Sequence, residues 1–326
     1  MWKFTAKRLL MMIPVLLGVS FAIFALMYFA PGDPADIILG DLATEADKAM
    51  FRREHGLDAP FIVQYFHYVE GIVTRGDLGT SYVTKQPVTT EILQRFPTTC
   101  KLAAFSIVIA VAIGVSAGIV SATRQYSLLD NLCRVVSMAG VSMPNFWLGM
   151  MLIILFAVVL KWLPPSGFST PRHWVLPAIT IGANSAANIM RMTRSSMLEV
   201  IRQDYIRTAR ARGESERVVI WNHALKNALI PIITVIGLSF GRMLGGAVMT
   251  ESIFSIAGLG KLMVDAIKAK NIPMIQGGVL FIAFAMVLLN LLVDIFYAYA
   301  DPRIRSQYVR PKIRKAPAKE VLNVAE

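Results

Sequence analysis

The sequence predicts an all-α polytopic membrane protein, and three observations support this prediction. Of the 326 residues, 55% are hydrophobic and only 17% are charged. The apolar residues form long runs, several of which reach the roughly 20 residues that a helix needs to cross a bilayer. The net charge is +12, and the basic residues lie beside these runs, as is typical of cytoplasmic loops. We therefore expect a multi-pass protein that contacts lipid and binds no nucleic acid.

The first element is a basic segment, residues 1–8, followed by an uncharged run over residues 9–30. A signal peptide has the same order of parts, but its apolar region is shorter, about 7–15 residues. We therefore interpret residues 1–30 as an uncleaved first membrane span with its N-terminus in the cytoplasm.

Residues 31–94 are interpreted as a small extracytoplasmic segment. Glycine and proline interrupt it repeatedly, and acidic residues outnumber basic ones. The spacing of its apolar residues predicts short amphipathic helices over residues 45–55 and 61–73. The excess of acids places the segment on the side of the membrane opposite the basic loops.

Residues 95–300 form the predicted core, which contains five further spans. These are residues 102–123, 135–160, 175–190, 230–250 and 278–300. Gly114 and Gly118 are four residues apart in the second span, a spacing that lets another helix approach closely. Pro144 predicts a kink in the third span, and Pro177 predicts an interruption of the fourth.

The distribution of Lys and Arg tests this six-span topology. With both termini in the cytoplasm, the cytoplasmic pieces are residues 1–8, 124–134, 191–228 and 301–326. Together they hold 20 of the 33 basic residues, in agreement with the positive-inside rule. Shifting the topology by one span would place the most basic loop outside. The tail, residues 301–326, is basic and poor in apolar residues, so we expect it to be disordered.

A polar and basic stretch, residues 196–230, separates the fourth and fifth spans, and we call it the hairpin. Two helices are predicted on either side of Gly213, which stands where a helix C-terminus favours positive φ. The first helix has an apolar face made of Met197, Ile201, Tyr205 and Ala209. The second, capped by Ser215, has an apolar stripe made of Val218, Trp221, Leu225 and Leu229. Such a hairpin leaves and re-enters the membrane with a polar surface, which favours a docking element.

The sequence lacks the motifs of an enzyme. It contains no GxxxxGK[ST] phosphate loop, no GxSxG and no HExxH. Cys100 and Cys133 fall on opposite sides of the membrane in this topology and cannot form a disulfide. The four histidines are dispersed along the chain, so we expect no metal site. We therefore expect a chain that catalyses no reaction and carries no cofactor of its own.

Polar residues within the predicted spans are few: Asn184, Ser185, Asn188, Arg242, Asn290 and Asp294. Such residues face a cavity or another helix because exposure to lipid is costly. We single out Asn184, Asn188 and Arg242 as candidates that line a pore. Two interpretations of Arg242 stay open: a structural arginine at a helix interface, or a cavity cation that meets a substrate carboxylate. The glycines around it predict packing against another helix; they are Gly237, Gly241, Gly245 and Gly246.

The hairpin sequence RQDYIRTARARGESERVVIWNHALKNALIP resembles the cytoplasmic "EAA" coupling loop of ATP-binding-cassette importer permeases, in the variant of the dipeptide, oligopeptide and nickel branch. Further segments similar to that branch follow in order: APGDPA, GDLGTSY, SMPNFWLG, LPAIT, TRSSMLEV, ESIFSIAGLGKL, IQGGVL and DPRIR. Two positions depart from the broader permease pattern, Arg207 in place of Glu and Lys226 in place of Pro. The peptide branch shares both departures.

This resemblance implies a permease of the type I, MetI-like fold in a bacterial inner membrane. It also implies that the hairpin docks on a separate cytoplasmic ATPase through these interface and turn residues: Asp204, Tyr205, Thr208, Ala209, Arg210, Gly213, His223 and Leu225. The implied partners are two such ATPase subunits, which carry ATP and Mg, a homologous second permease, and an extracytoplasmic solute-binding protein. Short peptides are the default substrate; nickel complexes, glutathione-like peptides and oligosaccharides stay open.

Two other classes stay open. A membrane enzyme or structural anchor would not need the hairpin. The other alternative is an ion-coupled secondary transporter. It would need coupling-ion carboxylates near the bilayer midplane and usually an internal inverted repeat. The predicted spans offer Asp294 alone, and no repeat is evident in the sequence. The sequence therefore favours the ATP-driven permease.

Overall fold

The computed structural model describes residues 2–40 and 43–300, which form helices joined by turns and loops. The helices are α1 (Trp2–Tyr28), α2 (Pro34–Leu39), α3 (Glu45–Glu54), α4 (Phe61–Arg75), α5 (Val88–Thr123), α6 (Leu128–Ser142), α7 (Asn145–Leu152), α8 (Pro171–Ile201), α9 (Asp204–Ala211), α10 (Glu216–Val218), α11 (Lys226–Ile253), α12 (Leu259–Lys268) and α13 (Ile272–Ala300). Two π-helical segments, Ile153–Val159 and Val219–Leu225, continue α7 and α10. The predicted basic tail and the side chain of Asp294 lie outside the described residues.

Four helical stretches in the described part of the chain are long and apolar enough to cross a membrane: Arg8–Tyr28, Val88–Thr123, Glu216–Gly245 and Ile272–Val293. A fifth crossing is available if α6 and the segment Asn145–Val159 are counted as one broken span, since together they are long and apolar enough. The two parts are bent by 110°, and Pro144 lies at the break. The expected kink is thus a sharp bend. The helix α8, with 31 residues, is long enough but too polar to belong to this group. The count of six spans stays a prediction.

The helix α8 corrects one detail of the sequence-based interpretation. It runs from Pro171 to Ile201 without interruption at Pro177. Leu176 and Ala178, on either side of this proline, are both buried. Packing against neighbouring helices therefore holds the segment straight enough to stay helical, although proline removes one backbone hydrogen bond.

The long helices α5 and α8 approach each other closely at two glycines of α5. A Cβ atom built on Gly114 would lie 2.6 Å from the carbonyl oxygen of Ala186, and one on Gly118 would lie 2.5 Å from Cβ of Thr193. Only glycine fits at such distances, so the close helix approach predicted from these two glycines is confirmed.

The glycines of α11 pack in the same way against α13. A Cβ atom on Gly237 would lie 2.6 Å from Cγ1 of Val293, and one on Gly241 would lie 3.1 Å from Oδ1 of Asn290. The packing role predicted for Gly237 and Gly241 is confirmed, whereas the surroundings of Gly246 lie outside what the structure describes.

The two amphipathic helices predicted after α1 are present as α3 and α4. Thr44 and Asp47 form a reciprocal capping box at the start of α3, which satisfies two backbone N–H groups. The helix α4 packs on α1 through aromatic rings, with the Phe24 centroid 5.5 Å from those of Phe61 and Tyr65. The helix α5 already begins at Val88, so the predicted boundary at residue 94 lies inside a helix.

The turn between α11 and α12 closes on a buried carboxylate. Glu251 accepts hydrogen bonds from Oγ1 of Thr99, at 2.6 Å, and from the backbone N–H of Lys261, at 3.1 Å. Thr99 in turn accepts a hydrogen bond from the N–H of Leu259 at 2.9 Å. This network fixes α5, α11 and α12 to one another because each buried polar group has a partner.

Candidate functional site: the hairpin and the polar face of α8

The turn of the hairpin is set by Gly213, which has φ +80°. Its N–H bonds the carbonyl oxygen of Arg210 at 2.9 Å, and the N–H of Glu214 bonds that of Ala209 at 3.4 Å. These two bonds form a Schellman motif, in which glycine occupies the left-handed position after the helix. No atom lies within 4 Å of a Cβ built on Gly213, so the requirement for glycine comes from the backbone alone.

Two side-chain contacts brace this turn from either side. Arg210 bonds Glu216 through Nε and Oε1 at 2.6 Å and through Nη2 and Oε2 at 3.3 Å. Nε2 of His223 lies 2.6 Å from Oε2 of Glu214. The first contact joins residues on opposite sides of Gly213 and so holds α9 against the second half of the hairpin. The second contact ties Glu214, directly after Gly213, to the π-helical segment that leads into α11.

The inner face of the hairpin differs from the predicted one in its first half. Met197, Ile206 and Ala209 are buried, whereas Tyr205 is 44% exposed. The reason is a break in the helix: α8 ends at Ile201, and Gln203 adopts an extended conformation before α9 starts. A single helical period across residues 197–209 is therefore wrong.

In the second half, the predicted stripe is displaced by the π-helical segment. Val219, Ala224 and Ala228 are buried, while Trp221, predicted to face inward, is 53% exposed. A π-helix places residues five apart on one face instead of four, so Val219 and Ala224 align. The buried set packs with Ala122 of α5 and Ile232 of α11.

The predicted ATPase-contacting residues divide into three groups. Asp204, Tyr205 and Thr208 lie exposed on α9. Arg210, Gly213 and His223 form and brace the turn. Ala209 is buried and Leu225 is half-buried against the same inner cluster, so these two side chains pack the hairpin and do not form its outer surface.

Of the three pore candidates, the structure joins two. Nδ2 of Asn188 donates to Oδ1 and to the carbonyl oxygen of Asn184, each at 3.0 Å. Nη2 of Arg191 donates to Oδ1 of Asn188 at 2.5 Å. Arg242 is exposed on α11 and donates to Oγ of Ser239, on its own helix, at 3.3 Å.

The sequence did not predict a buried ion pair between Asp130 and Arg194. Asp130, which is 0% exposed, accepts hydrogen bonds from Nε and Nη2 of Arg194, each at 3.0 Å. It also accepts bonds from Oγ of Ser121 at 2.5 Å and from the N–H of Tyr126 at 3.0 Å. The pair joins the end of α5, the start of α6 and the C-terminal part of α8. Its local signal is Ser127, the cap three residues before Asp130, but nothing local identifies Arg194.

Two protein-family models match the chain. Residues 114–306 match the family described as "Binding-protein-dependent transport system inner membrane component". Residues 1–103 match the one described as "Binding-prot-dependent transport system membrane comp, N-term". The two matches together take in both the helices α2–α4 and the hairpin.

Curated relatives match over almost their whole length. The dipeptide transport system permease protein DppB of Alkalihalophilus pseudofirmus is 44% identical over 333 residues, covering 94% of this chain and 100% of that protein. The di/tripeptide transport system permease protein DppB of Pseudomonas aeruginosa is 42% identical over 338 residues, covering 94% and 100%. The glutathione transport system permease protein GsiC of Escherichia coli (strain K12) is 42% identical over 305 residues, covering 94% and 99%.

Solved structures show the same fold at low sequence identity. An inward-facing structure of the MetNI methionine ABC transporter matches with a TM-score of 0.55 and 18% identity, over 65% of this chain and 97% of that one. An amino acid ABC transporter crystallised with histidines matches with a TM-score of 0.51 and 16% identity, over 65% and 94%. The MetI-like fold expected from the sequence is confirmed by this likeness.

Proposed function

The chain belongs to the family of binding-protein-dependent transport system inner membrane components, and we propose that within it this protein is the permease subunit of an ATP-driven importer of short peptides. The observation that carries the proposal is the identity of 42–44% to whole peptide-transport permeases. The relatives named for dipeptides, di/tripeptides and glutathione favour peptides over the nickel complexes and oligosaccharides left open by the sequence.

The proposed assembly contains this chain, a homologous second permease, two cytoplasmic ATPase subunits that carry ATP and Mg, and an extracytoplasmic binding protein. The chain itself then supplies no catalytic group. Its part is to form half of the pore and to receive force from the ATPase through the hairpin.

The hairpin is suited to that role because its two faces differ. The inner face packs on α5, α8 and α11, and the outer face presents Tyr205 and Thr208 to the surroundings. The braced turn keeps the outer face in a fixed orientation. A partner that grips this face would move α8 and α11, which lead directly out of the hairpin, and thereby change access to the pore.

A substitution on the outer face tests this docking. Thr208 is exposed, and its hydroxyl donates to the carbonyl oxygen of Asp204 at 3.0 Å. We expect Thr208→Glu to reduce recovery of the ATPase subunits with this chain by about tenfold or more, because it places a charge in the proposed contact. The measurement is co-purification of the complex from membranes, followed by ATPase activity stimulated by peptide and binding protein in proteoliposomes.

Thr74 provides a matched control on α4. It is also exposed, and its hydroxyl donates to the carbonyl oxygen four residues before, that of Glu70, at 2.6 Å. Thr74→Glu should leave ATPase recovery unchanged. Equal recovery with both variants, or absence of any ATPase from the purified parent chain, would contradict the proposed function.

A further inference from the structure

The polar ladder of Asn184 and Asn188 does not end at Arg191. Ser195 of α8 and Arg202, the residue that caps this helix, continue it along the same face, since the steps of four, three, four and seven residues match whole helical turns. Arg191, Ser195 and Arg202 are all exposed. A membrane helix does not present such a stripe to lipid, because the desolvation of its polar groups would go uncompensated.

The part of this stripe from Arg191 to Arg202 forms one wall of a groove between α6 and α8, which has a volume of about 780 Å³. Four arginines line it: Arg134, Arg191, Arg194 and Arg202. Two carboxylates oppose them, Glu199 in the lining and Asp130 buried beneath Arg194. The groove, which we call the basic groove, therefore has an excess of positive charge.

The cavity on the other flank of α6 gives a contrast. It has a volume of about 330 Å³ and lies between α5, α6 and α8. Its described lining is apolar or small, with Ile113, Cys133 and Val136 among the residues, and contains no charged side chain. The two flanks of α6 therefore differ in kind: one suits an acyl chain, and the other suits water and an anion.

The position along α8 places the basic groove at one membrane boundary. Arg191 lies 20 residues after the first residue of α8, Pro171, which corresponds to about 30 Å of helix, the thickness of the hydrocarbon core. The rest of α8, from Arg191 to Ile201, is nearly three turns long and leads into the hairpin. In the proposed topology this boundary is the cytoplasmic one.

We propose that the basic groove is the cytoplasmic end of the substrate path, and that Arg191 and Arg134 bind the terminal carboxylate of the peptide as it leaves. This proposal rests on the proposed function and names the residues that recognise its substrate. In the described part of the chain, Arg191 is bonded to a neutral amide, that of Asn188. Arg134 donates through Nη2 to Oδ1 of Asn131, also a neutral amide, and lies 3.7 Å from Asp130, which Arg194 already neutralises. Both guanidinium groups thus keep donors for a carboxylate, which arginine binds in a bidentate manner.

A cysteine reporter in the groove tests this without altering the arginines. Ser195→Cys is introduced into the assembled complex, with Cys100 and Cys133 replaced by serine, and reconstituted in phosphatidylcholine vesicles. Its reaction with a membrane-impermeant sulfonate thiol reagent is followed on this chain while dialanine is added. We expect dialanine to slow the reaction, and its C-terminal amide to do so far less.

The arginine is then tested in the same reporter. Arg191→Gln should raise the dialanine concentration needed for half-protection by about tenfold or more, because one charge-assisted hydrogen-bonding group is lost. Arg191→Lys should fall between the two. The control is Val135→Cys, since Val135 lies on an apolar face of α6 and is 65% exposed. This cysteine should react slowly, and peptide should not protect it.

Three outcomes would overturn the proposal. The reporter could be unreactive, the acid and the amide could protect equally, or protection could follow the content of phosphatidylglycerol in the vesicles and not the peptide. The last result would assign the groove to lipid headgroups. Each of them leaves co-purification with the ATPase unaffected, so failure here is distinguishable from failure of the proposed function.

Discussion

The buried carboxylate of Asp130 is the position where we expect loss of a single charge to loosen the membrane core most clearly. It sits in the first turn of α6 and bonds Ser121 of α5 and Arg194 of α8. Asp130→Asn keeps the shape of the side chain and removes its charge. Arg194, only 21% exposed at its side chain, then keeps a positive charge without its partner.

The magnitude follows from this burial. Removing one member of a buried ion pair costs about 3–5 kcal/mol, because the other charge stays desolvated. Arg194→Gln should cost a similar amount, since Asp130 is 0% exposed. The double variant removes both charges and keeps groups that can hydrogen-bond. Its loss should therefore be smaller than the sum of the single losses, by about 0.5–3 kcal/mol.

The assay is unfolding of the purified complex in detergent, with the thermal midpoint read by size-exclusion chromatography of a fluorescent fusion. Lys261 and Asp265 supply a control pair at 3.4 Å, whose side chains are 36% and 53% exposed. Asp265→Asn should change stability by less than about 1 kcal/mol. The reasoning is refuted if Asp130→Asn is as mild as this control, or if the double variant loses the full sum.

Two further predictions concern packing and pH. Gly118→Ala should destabilise the chain by about 1–3 kcal/mol, because its Cβ would clash with Thr193. Gly18→Ala in α1, where no atom lies within 4 Å of the added Cβ, should be neutral or stabilising by up to about 1 kcal/mol. The unfolding assay described above measures both variants. An equal change in stability for Gly118→Ala and Gly18→Ala would contradict the close packing of α5 on α8. Hydrogen bonds from the hydroxyl and N–H of Thr44 lower the pKa of Asp47 below 3.8. The capping box therefore stabilises α3 fully above pH 3.8 and is lost as the pH falls through the lowered pKa. Hydrogen exchange of residues 45–54 should show this step, Asp47→Asn should abolish it, and loss of protection already above that pH would refute it.

Much of the helical architecture could be predicted from apolar runs and from Gly and Pro. The close contacts of Gly114 and Gly118 were visible because a four-residue spacing of small residues has one structural use in a membrane. Whether α8 crosses the membrane could not be decided from its apolar content. Its face with Asn184, Asn188 and Arg191 makes the helix too polar for a composition test, although that face is what a pore requires.

The hairpin shows where periodicity fails. The turn at Gly213 was predicted because positive φ is a local property of one residue. The buried set was not, because a π-helical segment after Val218 changes the period within a single element. The pair of Asp130 and Arg194 spans 64 residues, and no pattern within one helix identifies such a partner.

The continuity of α8 links these parts. One helix, without a break from Pro171 to Ile201, carries the polar ladder, the buried pair at Arg194 and the connection to the hairpin. A rigid helix transmits displacement along its length, because bending it would break backbone hydrogen bonds. In the proposed function, force applied at Thr208 crosses the break at Gln203 through the buried cluster that Ile206 and Ala209 form with Met197 of α8. The Asp130 pair then makes α5 and α6 follow α8. Hence substitutions on α9 should alter coupling to the ATPase, whereas those at Arg191 should alter how the peptide is held.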